Sequence, residues 1–250
     1  MRNKKQAFWT KAAIFFALFF TIAPAANAMH IMEGYLPIGY CIAWGAICIP
    51  FIVSGVFSLK KIMSEHRKTI LLLAMAGAYA FVLSALKIPS VSGSSSHPTG
   101  TGLSAILFGP GVTAIIGLIV LLFQAILLAH GGLTTLGANT FSMAIAGPIV
   151  SYAIYRIGIK CKGNKKAVIF FAAAIGNLFT YFVTSVQLGL AHPVTEGGVI
   201  AAIGRFMGIF VVTQVPLAII EGLLTVVVII GLEAYASNEL KELNYIKGDK

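Results

Sequence analysis

Charged residues are what this sequence has least of: Asp, Glu, Lys and Arg make up only 10% of its 250 residues. An ordinary soluble domain carries about 25%, so a water-soluble globular fold is excluded. Acidic residues are the scarcest, eight against eighteen basic ones, and the net charge is +10. Such an excess can mark a nucleic-acid binder, but here the basic residues punctuate long aliphatic runs. That pattern belongs to the positive loops of a membrane protein, with the lipid bilayer and no nucleic acid as partner. Cysteine is also rare, with three in the chain. An odd number at irregular spacing gives no disulfide framework, so Cys41, Cys48 and Cys161 read as buried or free thiols. There is no Walker motif, GxGxxG or CxxC, and therefore no visible ATP site. No Gly-x-Ser-x-Gly elbow is present either, which leaves a hydrolase built on Ser94 or Ser96 weakly supported.

What the sequence does have is apolar residues, 58% of the total, and a mean hydropathy of +0.91. The first part is a targeting segment. Arg2, Lys4, Lys5 and Lys11 precede the apolar run Ala12 to Ala23, and Pro24-Ala25-Ala26-Asn27-Ala28 closes it with small residues at Ala26 and Ala28. A basic region, a short apolar region and an A-x-A site make a secretory signal peptide. Cleavage after Ala28 is expected, leaving residues 29–236 as the membrane domain and 237–250 as a cytoplasmic tail.

Apolar stretches follow at Gly39 to Leu59, Thr69 to Leu86, Val112 to Ala129, Thr140 to Gly158, Ala167 to Gln187 and Phe206 to Leu232. Each approaches the roughly 20 residues that cross a bilayer. Basic clusters lie at Lys60 to Lys68, Arg156 to Lys166 and Lys241 to Lys250. With a mature N-terminus outside the cell, these crossings alone strand the second and third clusters outside, against the positive-inside rule. One more pass repairs the parity. The only candidate is Thr101 to Phe108, a half-helix completed by backbone buried in protein and ended by the turn Gly109-Pro110-Gly111. The expected fold is thus all-α: an integral membrane bundle of about seven transmembrane helices, one of them short, with the N-terminus outside and the C-terminus cytoplasmic. The location is the cell membrane, multi-pass.

Four of the five histidines, His30, His97, His130 and His192, fall at the outer boundary of this topology, and His66 falls in a basic cytoplasmic loop. Cleavage would make His30 the second residue. The Met29 amine, the His30 amide nitrogen and imidazole Nδ1 could then close fused five- and six-membered chelate rings on a metal, leaving one planar position open. Nitrogen-rich planar sites suit Ni(II) and Cu(II), and imidazole also accepts Co(II) and Zn(II). A second-place His arising incidentally from signal cleavage is the competing reading. His97 lies in a Ser/Gly/Pro-rich loop just before the half-helix, where it can fill the open position or be incidental. Glu221 is the one carboxylate deep in an apolar run. It is either a proton or ion site, as in a proton-coupled secondary metal transporter, or a packing residue paired with Gln124 or Gln214. In either role it is expected to stand apart from the outer histidines.

Three stretches carry a family resemblance: Met29-His30-Ile31-Met32-Glu33-Gly34-Tyr35-Leu36-Pro37; Ile88-Pro89 through Ser96-His97-Pro98-Thr99-Gly100-Thr101-Gly102; and Gly131-Gly132-Leu133-Thr134-Thr135-Leu136-Gly137-Ala138-Asn139, running into Ala146-Gly147-Pro148. In order and spacing they resemble the CbiM and NikM family, the cobalt and nickel substrate-binding membrane components of energy-coupling factor (ECF) transporters, and most closely CbiM. The resemblance implies metal ligands at Met29, His30 and His97. It implies Co(II), or Ni(II), as transported ligand with no cofactor, and no enzymatic activity in this chain. The implied partners are a transmembrane coupling protein, two cytoplasmic ATPases that hydrolyse ATP, and a small accessory membrane subunit. Ala172-Ala173-Ala174-Ile175-Gly176 is a candidate partner face, or equally a face packed inside the bundle.

Overall fold

The computed structural model describes residues 27–28, 30–65, 67–89, 94–243 and 245. The segment before Asn27 that reads as a signal peptide, Met29 and His66 lie outside the described residues. The helices are α1 (Ile38–Glu65), α2 (Ile70–Ala85), α3 (Thr101–Leu128), α4 (Leu136–Lys160), α5 (Lys165–Ala191), α6 (Gly198–Tyr235) and the short α7 (Ser237–Glu242). Five of them, α1 and α3 to α6, are long and apolar enough to cross a membrane, and α2 is a further apolar helix of 16 residues. Rows of aliphatic side chains such as Ile38, Ile42, Ile49 and Phe57 on α1, and Val211, Val212, Val227 and Ile230 on α6, are exposed. Such surfaces suit lipid, and the chain is an all-α, multi-pass membrane protein.

α3 is two helical arms joined by a reversal. Gly109 has φ 80° and ψ 169°, a conformation that costs a side-chain-bearing residue dearly and glycine little. Pro110 follows, and its missing N–H is harmless in the first turn of a new helix. The first arm, Thr101 to Phe108, runs antiparallel to α2. It starts with Gly100 against the backbone of Ala80, and its Leu103, Ile106 and Leu107 reach the cluster that holds Leu72. The second arm returns alongside α2, with Ile116 against Gly77 and then Gln124 bonded to Phe81 and Ser84. The described residues therefore make seven passes along the bundle, one of them half length, as the charge parity required.

Two ends result. At one, Arg156 and Lys160 of α4 line a cavity of about 790 Å³ with Ile62 of α1, Gly109 and Tyr245. Lys165 bonds Glu233 at 2.7 Å nearby. At the other end stand the histidines and a small sheet: β1 (Asn27–Ala28) and β2 (Ile88–Pro89) flank β3 (Ser94–Ser96), parallel and antiparallel respectively. The small-residue face of α5 lies inside the bundle. Ala172, Ala173 and Ala174 are buried, and Gly176 leaves no room for a Cβ against Ser151. Of the two readings open for that stripe, internal packing is the one the fold adopts. Cys41 and Cys48 are buried free thiols and Cys161 an exposed one, as expected.

Candidate metal centre

The segment after Met29 is seated by the Gly131–Asn139 stretch, so two of the three resemblance motifs are halves of one structure. The Ile31 N–H donates to Asn139 Oδ1 at 2.8 Å, and Asn139 Nδ2 donates to the Ile31 carbonyl at 3.0 Å. One amide side chain thus satisfies both polar groups of a buried peptide, which otherwise would cost about 1–3 kcal/mol apiece. Thr135 Oγ1 donates to the same carbonyl. The approach is close: a Cβ on Gly132 would stand 2.6 Å from Glu33 Cα, and one on Gly131 3.2 Å from His30 Cβ. Only glycine admits the neighbouring backbone there. Asn139 stands immediately before a π-helical turn, Thr140–Ala146. Such widened turns recur at functional sites.

His30 is thereby placed inside the bundle, 2% exposed. His97 arrives from the loop after β3. The Tyr181 hydroxyl donates to the His97 carbonyl at 2.7 Å, and Ser96 Oγ meets Thr213 Oγ1 at 2.8 Å. His130 follows the left-handed Ala129 that ends α3, and its N–H donates to the Gln124 carbonyl at 3.1 Å. The three rings, drawn from three separate stretches, converge. Centroids lie 4.6 Å apart for His30 and His97, 4.4 Å for His30 and His130, and 4.9 Å for His97 and His130. One nitrogen from each ring lies within 4.8 Å of the others.

Hydrogen bonds set which nitrogens are available. Pro98's carbonyl lies 2.9 Å from His97 Nδ1, so the proton sits on Nδ1 and the lone pair on Nε2. Gln124 Oε1 lies 3.1 Å from His30 Nε2. The Gln124 amide nitrogen donates to Ser84 Oγ at 2.7 Å, and Ser84 donates on to the Ala80 carbonyl. With the amide so oriented, its oxygen accepts the His30 Nε2 proton, and Nδ1 keeps the lone pair. That is the nitrogen the chelate needs. Among the described residues, His97 Nε2 and both ring nitrogens of His130 are buried without a partner. An unpartnered buried polar atom costs about 1–3 kcal/mol, and a bound cation would remove that cost.

Burial, then the neighbouring histidines, hold the His30 imidazole well below its ordinary basicity. Burial also lowers His97 to about 4 and His130 to about 2, with Lys87 adding to both. All three rings are neutral near pH 7, the form in which imidazole ligates a metal.

Of the expected ligands, then, His30 and His97 come together. Met29 lies outside the described residues, but its neighbours are placed: Ala28 pairs with Ser95 in the small sheet, and His30 is in the pocket. His130 was not expected as a ligand and joins them. His192 does not, since its ring bonds the Tyr35 carbonyl at an exposed position.

Glu221 stands closer to the site than expected. Its carboxylate accepts the Thr99 N–H at 2.6 Å, the Gly100 N–H at 2.9 Å, the Thr99 hydroxyl at 2.9 Å and Asn177 Nδ2 at 2.6 Å. It therefore pins the turn two residues after His97, at the positive end of the half-helix dipole. Gln124, one of the partners expected for it, serves His30 instead. With both oxygens taken up by four donors, Glu221 is an anchor for the histidine loop.

A multi-pass bundle enclosing convergent, neutral imidazoles defines a membrane protein with the donor set of a transition-metal site. Comparison with known proteins narrows the class. The profile of the CbiM family, described as the cobalt uptake substrate-specific transmembrane region, matches residues 30–239, and the chain belongs to that family. A relative from Lachnoclostridium phytofermentans, named cobalt transport protein CbiM, is 63% identical over 246 residues, 98% of each chain. A relative of the same name from Chlorobium limicola is 60% identical over 227 residues, 90% of this chain and 89% of its own. Among solved structures, one described as a transition metal transporter aligns with TM-score 0.71 at 29% identity, covering 88% of this chain and 100% of that one. A truncated transition metal transporter aligns with TM-score 0.70 at 29% identity, over 82% and 99%.

Proposed function

We propose that this protein is the substrate-capture subunit of an ATP-driven importer of Co(II), of the ECF type. The convergence of His30, His97 and His130 in a buried pocket, with His97 Nε2 and the His130 nitrogens unpartnered among the described residues, is the observation that carries the reading. Membership in the CbiM family and the naming of its relatives as cobalt transport proteins support cobalt as the cargo.

In this reading the signal peptide is removed after Ala28, and the free Met29 amine, the His30 amide and Nδ1, and His97 Nε2 take the metal at the outer face. The histidine end faces outward and the basic end inward, with the N-terminus outside and residues 237–250 in the cytoplasm. This puts Lys60, Lys61, Arg156, Lys160 and Lys165 where positive charge is retained. The chain carries no ATP site motif. In this reading, as the family resemblance implies, hydrolysis falls to two cytoplasmic ATPases, joined through a transmembrane coupling protein and accompanied by a small accessory subunit.

The test is metal content. Protein purified with its partner subunits from cobalt-supplemented cells should hold one Co(II) per chain and show a mature N-terminus at Met29 by mass spectrometry. His97→Ala should hold the metal far more weakly while remaining folded. An intact signal segment in a protein that still binds cobalt tightly would defeat the amine-ligand scheme. Sidedness is tested by labelling intact cells at Ser95→Cys and Lys165→Cys, where only the first should react.

A further inference from the structure

The site has one imidazole too many for a plane. Chelation through the Met29 amine, the His30 amide and His30 Nδ1 fills three corners of a square and leaves one. Two neutral imidazoles, His97 and His130, stand ready for it, each with a ring centroid within 5 Å of His30. His97 has its Nδ1 engaged by Pro98 and a single nitrogen free. His130 is fully buried with both ring nitrogens unpartnered, an arrangement that costs the metal-free protein and has no packing rationale, since a leucine or methionine would fill the space without that cost. Its main-chain N–H is spent on closing the helix end at Gln124, and the side chain is aimed at the other two rings.

We propose that His130 is a metal ligand standing off the chelate plane, and that it makes the site prefer Co(II) over Ni(II). The inference rests on the metal-capture reading above. Its chemistry is a contest between geometries. Ni(II) lies above Co(II) in the general affinity order and suits a planar nitrogen square, so a planar four-nitrogen site alone would favour nickel. Displacing the His30 amide proton, which such a square demands, is also easier for Ni(II). A third imidazole off the plane opposes the planar arrangement that nickel favours, and it gives Co(II), which displaces the amide proton less readily, a further nitrogen donor beyond the four of the square. The selectivity therefore comes from geometry, where affinity order would point the other way.

The experiment compares wild type, His130→Ala and His130→Asn, each purified with its N-terminus processed and titrated separately with Co(II) and Ni(II). The account expects Co(II) affinity to fall at least tenfold in both variants, Ni(II) affinity to stay within threefold, and the visible absorption of bound Co(II) to change with the loss of a nitrogen donor. Retained nickel binding shows that the variants are folded. Equal losses for both metals, or no change in their ratio, would overturn the proposal. Wild type that binds neither metal would instead overturn the metal-capture reading, which separates the two failures.

Discussion

The two ends of this bundle are made of opposite materials. At the basic end, Leu72, Leu103, Ile106, Leu107, Ile169, Ile229 and Leu240 form one apolar cluster, and polar contact is peripheral: Lys165 reaches Glu233 while both side chains keep substantial exposure. At the histidine end, polar side chains are buried outright. Glu221, Gln124, Asn139, Thr135 and Tyr181 each hold backbone or imidazole in place, and Asn177 holds the Glu221 carboxylate. The contrast follows from what each end must hold. Regular helices satisfy their own backbone, so apolar packing is enough. The His30 segment, the His97 loop and the start of the half-helix are irregular backbone inside a membrane protein, where every N–H and C=O needs a partner from elsewhere.

Loss of a ligand apart, the largest effect should therefore come from removing one of the buried clamps. Glu221→Gln leaves one acceptor oxygen and one NH₂ facing four donors, and at about 1–3 kcal/mol per unpaired buried group cobalt affinity should fall about ten- to a hundredfold. Asn139→Ala, which frees the Ile31 peptide, should fall into the same range. Isothermal titration on detergent-purified protein measures both. Wild-type affinity in Glu221→Gln would show that the carboxylate is no anchor and reopen its reading as a proton site.

The pH dependence sharpens the comparison, because all the depressed imidazoles lie at one end. His97, at about 4, and His130, at about 2, stay neutral through the range in which the same groups in the unfolded chain take up protons, near 6.5. Their contribution to stability is thus present above pH 6.5 and is lost progressively as pH falls toward 4. Metal-free protein should melt at lower temperature at pH 5 than at pH 7, with His97→Ala showing a shallower slope. Cobalt affinity near neutrality should still rise with pH. The imidazoles are already deprotonated there, so the rise belongs to the Met29 amine, with an ordinary pKa of about 7.7–8.0, and to the His30 amide proton that the metal displaces.

The smallest effect belongs to the basic end. Lys165→Ala breaks an ion pair whose side chains are 41% and 32% exposed. It should change stability by no more than about 1 kcal/mol and leave cobalt affinity unaltered. A loss of binding in Lys165→Ala would mean that the two ends are coupled more tightly than their construction implies.

How much of this was legible in the sequence differs between the ends in the same way. The helices, the half-helix and its reversal were readable from apolar runs, Gly109-Pro110-Gly111 and the parity of basic loops, because these depend on local composition. His30 and His97 were readable through resemblance. His130 was passed over as one of several boundary histidines, although the Gly131-Gly132 that follows it signals a close backbone approach. The Asn139 clamp on Ile31 and the Glu221 hold on Thr99 were invisible. Each joins residues more than a hundred positions apart, and no periodicity encodes such a pairing. The stripe Ala172 to Gly176 shows the remaining limit: helical spacing identifies a close-packed face but not what packs on it.

The central claim, that a buried nitrogen site at the histidine end takes the metal, is tested most directly by X-ray absorption at the cobalt edge on the purified, processed protein. The account predicts a first shell of nitrogen donors with the outer-shell scattering of imidazole rings, reduced in His97→Ala. A shell dominated by sulfur or by carboxylate oxygen, or a spectrum unchanged in His97→Ala, would contradict it.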